Sequence, residues 1–204
     1  MEYLRAELHC HNVFSNGHVG SLEPIHDCNV TIPQQLEQAY LAGLNVLFVT
    51  NHNTIDGYKQ MLEYKKNHQK FDELKVYPAE EVTTNNEAHV LVYGIDHVIK
   101  SGLSLHEILD EAKKQNAVTV APHPFSLLDA LRDDSIYCDL FEVFNSSNVD
   151  VYSNLRAKNF ASERDLHVVA GSDSHVRSTI GRSTNLIHSE NKLDSVIDAM
   201  KHHR

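Results

Sequence analysis

A parallel α/β barrel of about seven strands is the fold this sequence predicts, and three observations predict it. Short apolar runs alternate with helix-like segments along all 204 residues. No linker, repeat or low-complexity stretch interrupts that order. Metal-competent side chains stand at the ends of the apolar runs from one end of the chain to the other. Such alternation implies a mainly parallel sheet with helices outside. Side chains delivered to strand C-termini from distant parts of the chain converge most easily if the sheet closes, and barrels of this kind carry their active site at that rim. An open doubly wound sheet is the alternative, and it would hold the first and last of these side chains far apart. The length suits a single domain over residues 1–204, large enough to bury most of its core.

The elements follow in order. Tyr3–His9 reads as the first strand, and Thr31 with Pro33 as a helix start, with Leu36, Ala39 and Tyr40 at helical spacing and Gly43 at the stop. "NVLFVT" at 45–50 is a buried strand, followed by a helix over about 56–66 with a charged outer face. "KVYPAEEV" and "AHVLVYG" are two further strands. Ser104 and Glu107 form a capping box ahead of Leu105, Ile108, Leu109 and Ala112, which predicts a helix over 104–115. Strands are expected at 117–121, 140–145 and 166–171, with helices near 126–132 and 150–164. Leu193, Val196, Ile197 and Met200 give a closing amphipathic helix.

His9, His11, His52, His89, His123 and His175 each sit at or just after the end of an apolar run, and Glu81 and Asp173 hold the same kind of position. Imidazole and carboxylate together suit Zn²⁺, Mn²⁺ or Fe²⁺ and leave coordination positions for water. One histidine so placed is usually a surface or core residue; six in one register point to a metalloenzyme. His9 and His11 are two apart on a strand, so both face one way and Cys10 the other; the bland reading is a polar strand face. Asp173 and His175 repeat that spacing after the small-residue turn "AGS". Pro124 keeps His123 out of the helical region and predicts an extended backbone there. Glu80 and Glu81 are adjacent acids at a strand end, one expected to point inward and one outward, and spacing does not choose between them.

Composition limits the partners. A formal net charge of −10 disfavours long nucleic acid, whose binding draws on Lys and Arg, but bound divalent ions can still place positive charge where a phosphate must sit. Cys10, Cys28 and Cys138 are odd in number and far apart, which indicates neither a disulfide framework nor a zinc ribbon. There is no secretory pattern in "MEYLRAELHCHN", and no apolar run approaches the roughly 20 residues that span a bilayer. A cytoplasmic chain with no membrane partner is expected, with oligomeric state open.

Taken together, these motifs resemble the PHP family of phosphoesterases, named for its occurrence with DNA polymerases and as a histidinol phosphatase. "HCH" at 9–11 matches the family's His-x-His, "TNHNT" at 50–54 its Thr-Asp-His-Asp/Asn-Thr, and "PAEEVT" its Pro-Gly-x-Glu-Ile-Ser. "HVLVYG", "HP" at 123–124, "FEVFN" at 141–145 and "GSDSH" at 171–175 match the later motifs in order. The resemblance covers nearly the whole chain. It implies a distorted (β/α)₇ barrel and selects Glu81 as the ligand. It further implies two or three divalent ions: one on His9, His11, Glu81 and Asp173, one on Glu81, His89 and His123, and one on His52, His175 and a residue of the first loop. Glu81, Asp173 and His175 would then serve catalysis, with hydroxide generated on the bridged pair attacking phosphorus. Glu142 shares a strand face with Leu140 and Phe144 and is expected to support a ligating histidine.

The first loop departs from the pattern. Where the family has Asp in a Ser-Asp-Gly turn, this chain has Asn16, and His18 two residues on is the candidate replacement ligand. The loop then runs on through His26, Asp27 and Cys28, which could reach the site or merely cover it. Arg156, Arg177 and Arg182 are candidates for substrate phosphate. His68, His97, His106, His167, His188, His202 and His203 match no motif and read as surface or structural. The expected activity is metal-dependent hydrolysis of a phosphomonoester or a short nucleotide or oligonucleotide, with histidinol-phosphate phosphatase as one alternative. A non-catalytic metal-binding PHP scaffold is the alternative of another class.

Overall fold

The structure is a computed structural model that describes residues 2–18 and 26–202; His203 and residues 19–25 of the long first loop lie outside the described residues. Strands β1 (Glu2–Glu7), β2 (Val46–Val49) and β3 (Lys75–Thr83) alternate with helices α1 (Ile32–Leu41) and α2 (Asp56–Lys65). Then come β4 (His89–Tyr93), α3 (Leu105–Lys114), β5 (Val118–Ala121), β6 (Leu140–Asn145), α4 (Val151–Arg164), β7 (Val168–Gly171), β8 (Asn185–Ser189) and α5 (Leu193–Lys201). The helix starts have the caps the sequence indicates. Ser104 N–H donates to Glu107 Oε2 at 2.8 Å, and Thr31 N–H donates to Gln34 Oε1 at 3.0 Å.

The sheet runs β7-β6-β5-β4-β3-β2-β1-β8. Its β1–β2–β3 and β5–β6–β7 stretches are parallel, whereas β4 is antiparallel to both neighbours and β8 is antiparallel to β1. This is the distorted barrel, with an added eighth strand. At the C-terminal end of β1 the sheet closes directly: Asp173 N–H donates to His9 O at 2.7 Å and His11 N–H to Ser174 O at 3.0 Å. Lower down, β8 is wedged into the gap, and the Asn185 side chain pairs with both Ala170 N–H (2.9 Å) and Ala170 C=O (2.7 Å) in place of a ladder.

Most strands are apolar on both faces because both are covered. Leu4, Ala6, Leu8, Phe48, Tyr93, Val120 and Leu140 fill the barrel, and Val196, Ile197 and Met200 of α5 plug its lower end. Leu47, Val49 and Val76 pack outward against Leu36, Ala39 and Met61 of α1 and α2. Val90, Val92, Ala121 and Phe141 pack outward against Ile108, Ala112, Ala157 and Phe160 of α3 and α4. Near the top of the barrel, Tyr93 Oη donates to Leu8 O at 2.8 Å, so the apolar filling ends in a satisfied polar layer.

Two expectations fail here. The segment near 126–132 is not a helix; a 3₁₀ turn follows instead at Arg132–Tyr137. Its Leu127 and Leu128, which mimic a buried helical stripe, are 68% and 72% exposed. His123 is not extended either: it sits at φ +30°, a left-handed conformation uncommon for a side-chain-bearing residue. Its N–H donates to Glu142 Oε2 at 2.6 Å, and that bond helps hold the turn against its backbone preference.

Candidate metal centre

Every strand-end ligand candidate is brought to the same rim. Glu81 stands at the centre, fully buried. Its Oε1 lies 3.1 Å from His89 Nδ1 and 3.1 Å from His123 Nε2, while its Oε2 lies 3.2 Å from His11 Nε2, 3.4 Å from His9 Nε2 and 3.5 Å from His52 Nδ1. Asp173 Oδ1 adds contacts at 3.3 Å to His9 Nε2 and 3.4 Å to His11 Nε2. Neighbouring Glu80 faces the other side of β3, where its Oε1 accepts from Ile99 N–H at 2.6 Å; desolvation pushes its carboxyl up to about 8.

Of the loop residues that could reach the site or merely cover it, Asp27 reaches it. Asp27 Oδ1 is 3.0 Å from His175 Nε2, and Asp27 Oδ2 is 3.8 Å from His52 Nε2. His18 is exposed and belongs to none of the ligand groups, which corrects the expectation that it replaces the family's Asp. Asn16 is not a ligand but a clamp. Its Oδ1 accepts from the N–H groups of Asp27 (2.7 Å) and Cys28 (3.0 Å), and its Nδ2 donates to Cys28 O (2.9 Å). The long loop thus returns to its own start and presents Asp27. Asp27→Asn is expected to lower affinity for one metal position by at least about tenfold, the scale seen when a metal's supporting groups are lost, and His18→Ala to leave metal content unchanged. Metal titration of the two variants compares them directly, and equal losses would refute the placement of Asp27.

The donor set fits divalent metal. Ligand atoms of His9, His11 and Asp173, of His9, Glu81 and His123, of His52, Glu81 and His89, and of His11, Asp27, His52 and His175 all fall within 4.8 Å of one another in each group. Interiors rarely leave polar atoms unmatched, yet His11 Nε2, His52 Nδ1, His89 Nδ1, His123 Nδ1 and Asp27 Oδ2 are buried without a hydrogen-bond partner. Without metal the charges compensate each other. Burial opposes ionisation of Glu81 and Asp173, but the imidazoles outweigh it and hold both carboxyls well below their usual range. Burial likewise opposes charge on His9, and Asp173, Glu142 and Glu81 overcome it and raise it well above the ordinary imidazole value. Against burial, Asp27 and Asp173 raise His175 to about 9. His52 goes the other way, to about 3, because desolvation wins there.

Behind the ligands, Glu142 carries out the supporting role expected of it. Its Oε1 lies 3.0 Å from His9 Nδ1, and its Oε2 accepts from His123 N–H and from Asn145 Nδ2 at 2.9 Å. Asn145 Nδ2 also reaches Asp173 Oδ2 at 3.1 Å. A Cβ at Gly171 would lie 1.9 Å from Glu142 Oε1 and 2.6 Å from the His9 Cβ, so only glycine lets β7 pass this pair. Sequence reasoning missed Asn145 and Gly171; each lies inside a motif it used, at a position carrying no metal-ligating chemistry.

The site opens through a pocket of about 210 Å³ lined by Asp27, His52, Glu81, His89, His123, Asp173 and His175, with Ser126, Leu128, Asp129, Ser147, Asn148 and Val149 at its rim. None of the three candidate arginines lines it. Arg156 stands with its guanidinium carbon 4.2 Å from the centre of the Phe125 ring, in a separate groove. Arg177 lines another groove, with Pro33 and Tyr64, and Arg182 is exposed elsewhere on the surface. The expectation of an arginine on the substrate phosphate is corrected accordingly. Among the described residues no helix is long and apolar enough to cross a membrane.

Known proteins resemble this chain in sequence and in fold. A family profile described as PHP-associated matches residues 151–204. An uncharacterized protein of Methanocaldococcus jannaschii, MJ1587, is 32% identical over 161 residues, covering 76% of this chain and 90% of the relative. Endonuclease Q in complex with a 27-mer duplex bearing an abasic lesion at its active site superimposes with a TM-score of 0.71 at 18% identity, covering 98% of this chain and 57% of that one. A candidate metal-dependent phosphoesterase from Bifidobacterium adolescentis gives a TM-score of 0.64 at 17% identity, over 97% of this chain and 94% of that one. At these identities the two structures establish a shared fold.

Proposed function

Because the chain belongs to the PHP family, we propose that it is a metal-dependent hydrolase of phosphate esters, acting on a phosphomonoester or on a short nucleotide or oligonucleotide. The observation that carries this reading is the set of buried, unpartnered ring nitrogens gathered around Glu81. Glu81 would bridge two ions, with His9, His11 and Asp173 on one side and His89 and His123 on the other. Asp27, His52 and His175 would hold a third. Divalent ions bound there would acidify a water and meet the charge of the phosphoryl group.

The chain's own contribution is orientation and access. Glu142 turns His9 so that Nε2 faces Asp173 and Glu81. Asn145 fixes Asp173 from behind. His175 is the most open of the ligand histidines, with 31% of its side chain exposed, and faces the route by which an ester would enter. Leu128 and Val149 present apolar surface at the rim, beside Asn148 and Ser126, where the organic part of the ester would rest. With no guanidinium or ammonium among the lining residues, the phosphate charge would fall to divalent cations held by these ligands.

A panel of phosphomonoesters (histidinol phosphate included), cyclic phosphates and short oligonucleotides with and without an abasic site, each assayed with Mn²⁺, Zn²⁺ and Fe²⁺, tests the reading. Turnover of at least one class that depends on added metal is expected. Metal bound at two or more positions with no turnover of any of them would favour the non-catalytic scaffold instead.

A further inference from the structure

We infer that Ser15 is a positioning residue that sets the tautomer of His11, through a chain of amides whose donors and acceptors can be followed from backbone groups to the Ser15 hydroxyl. The chain starts at backbone groups whose polarity is fixed. Gln35 Nε2 donates to His11 O at 3.1 Å, so Gln35 Oε1 is the acceptor for Asn12 Nδ2 at 2.9 Å. Asn12 Oδ1 therefore accepts, from Phe14 N–H at 3.0 Å and from Asn51 Nδ2 at 2.9 Å. Asn51 Oδ1 in turn accepts from Asn12 N–H at 2.8 Å and from the Ser15 hydroxyl at 3.1 Å.

A serine hydroxyl has one proton, and Ser15 Oγ meets a group that can only donate, His52 N–H at 3.2 Å, one that can only accept, Asn51 Oδ1, and His11 Nδ1 at 3.0 Å, which can do either. All three contacts are hydrogen bonds at once only when the hydroxyl donates to Asn51 and His11 carries a proton on Nδ1. Its Nε2, buried 3.2 Å from Glu81 and 3.4 Å from Asp173, is then the nitrogen that would bind an ion. The ring is held by a hydroxyl rather than by the carboxylate that serves His9. Asn51 stands where the family pattern has Asp, and its amide makes a donation to Asn12 that a carboxylate could not. Gly57 guards the arrangement from outside: a Cβ there would lie 2.1 Å from Asn51 Nδ2 and 2.8 Å from Asn12 Oδ1.

The inference rests on His11 being a ligand, and two readouts separate its failure from failure of that reading. Nitrogen NMR of the imidazoles in metal-free protein at alkaline pH should show His11 protonated at Nδ1. Ser15→Ala should give a mixture of tautomers and weaken metal binding about 10–100-fold, the scale for lost supporting groups. Ser15→Thr, which keeps the oxygen, should restore both. Gly57→Ala should reproduce the Ser15→Ala tautomer mixture without touching a ligand. A wild-type His11 protonated at Nε2, or a Ser15→Ala protein with the wild-type tautomer and affinity, overturns the inference. The wild-type spectrum alone decides if a variant fails to fold. A mixed tautomer in Ser15→Ala with unchanged metal affinity would uphold the tautomer relay while showing that His11 is no ligand.

Discussion

Glu81→Gln is expected to abolish metal-dependent turnover and to empty two metal positions at once. The amide keeps the shape of the carboxylate but removes the negative charge that faces five imidazoles within 3.5 Å, and it replaces one ligand oxygen by an N–H₂ with no lone pair to offer a metal. The loss should exceed the roughly 100-fold that marks the upper end for supporting groups. Glu80→Gln is the control. That side chain faces Ile99 across the sheet and is largely neutral at physiological pH because burial raises it to about 8, so a neutral amide should be tolerated with metal content nearly intact. Elemental analysis of both variants decides, and equal losses would mean that the wrong carboxylate has been placed at the bridge.

Stripping the metals should make the protein lose stability as pH rises from about 6.5 to about 9. His175 has its folded value raised to about 9 from 6.5, so its contribution is complete below 6.5 and disappears as pH climbs through 9; His9 and His123 are raised in the same direction. Each proton released costs about 1.4 kcal/mol per pH unit over the interval. Glu7 and Glu80, raised by burial to about 7 and 8, act with the same sign from 4.5 upward: the unfolded chain ionises them first. His52 and Asp27, lowered to about 3 and about 2, oppose only on the acid side. Metal replaces protons on the ligating imidazoles, so saturating Zn²⁺ or Mn²⁺ should raise the melting temperature and remove the histidine part of the alkaline decline. A metal-free melting temperature that rises between pH 6.5 and 9 would contradict the charge arrangement described.

How much of this was legible in the sequence depended on what each residue does locally. His9, His11, His52, His89, His123 and His175 were readable because a strand end has a fixed direction, and alternation tells which side chains share a face. Glu81 was not separable from Glu80 by spacing; the family motif chose it, and the geometry agrees. Asp27 could be named only beside His26 and Cys28 as able to reach the site, because its position depends on Asn16 holding Asp27 and Cys28, a relation between backbone amides and one side chain that leaves no periodic trace. His18 attracted attention by chemistry and sequence proximity, and both pointed the wrong way. The arginines failed for a similar reason: nearness to a motif in sequence put Arg177 beside Pro33 and Tyr64 instead of beside the metal centre. The eighth strand, Asn185–Ser189, was missed because it is short and runs antiparallel outside the βα alternation.

The way the barrel closes ties the chemistry to the order in which the chain can fold. Its closing bonds join His9 and His11 to Asp173 and Ser174, and the nearby bond from Ser172 Oγ to His9 O spans 163 positions of sequence. Contacts of such separation are slow to form, since the loop entropy they demand must be met before they return anything. Strands β1 to β6 can pair progressively with near neighbours, but the rim stays incomplete until β7 arrives. A ribosome-bound chain that has released only its first 170 residues therefore holds five of the six ligand histidines with neither Asp173 nor His175 beside them, and the closure at the rim and the gathering of the ligands are completed in the same event, with β8 still to come.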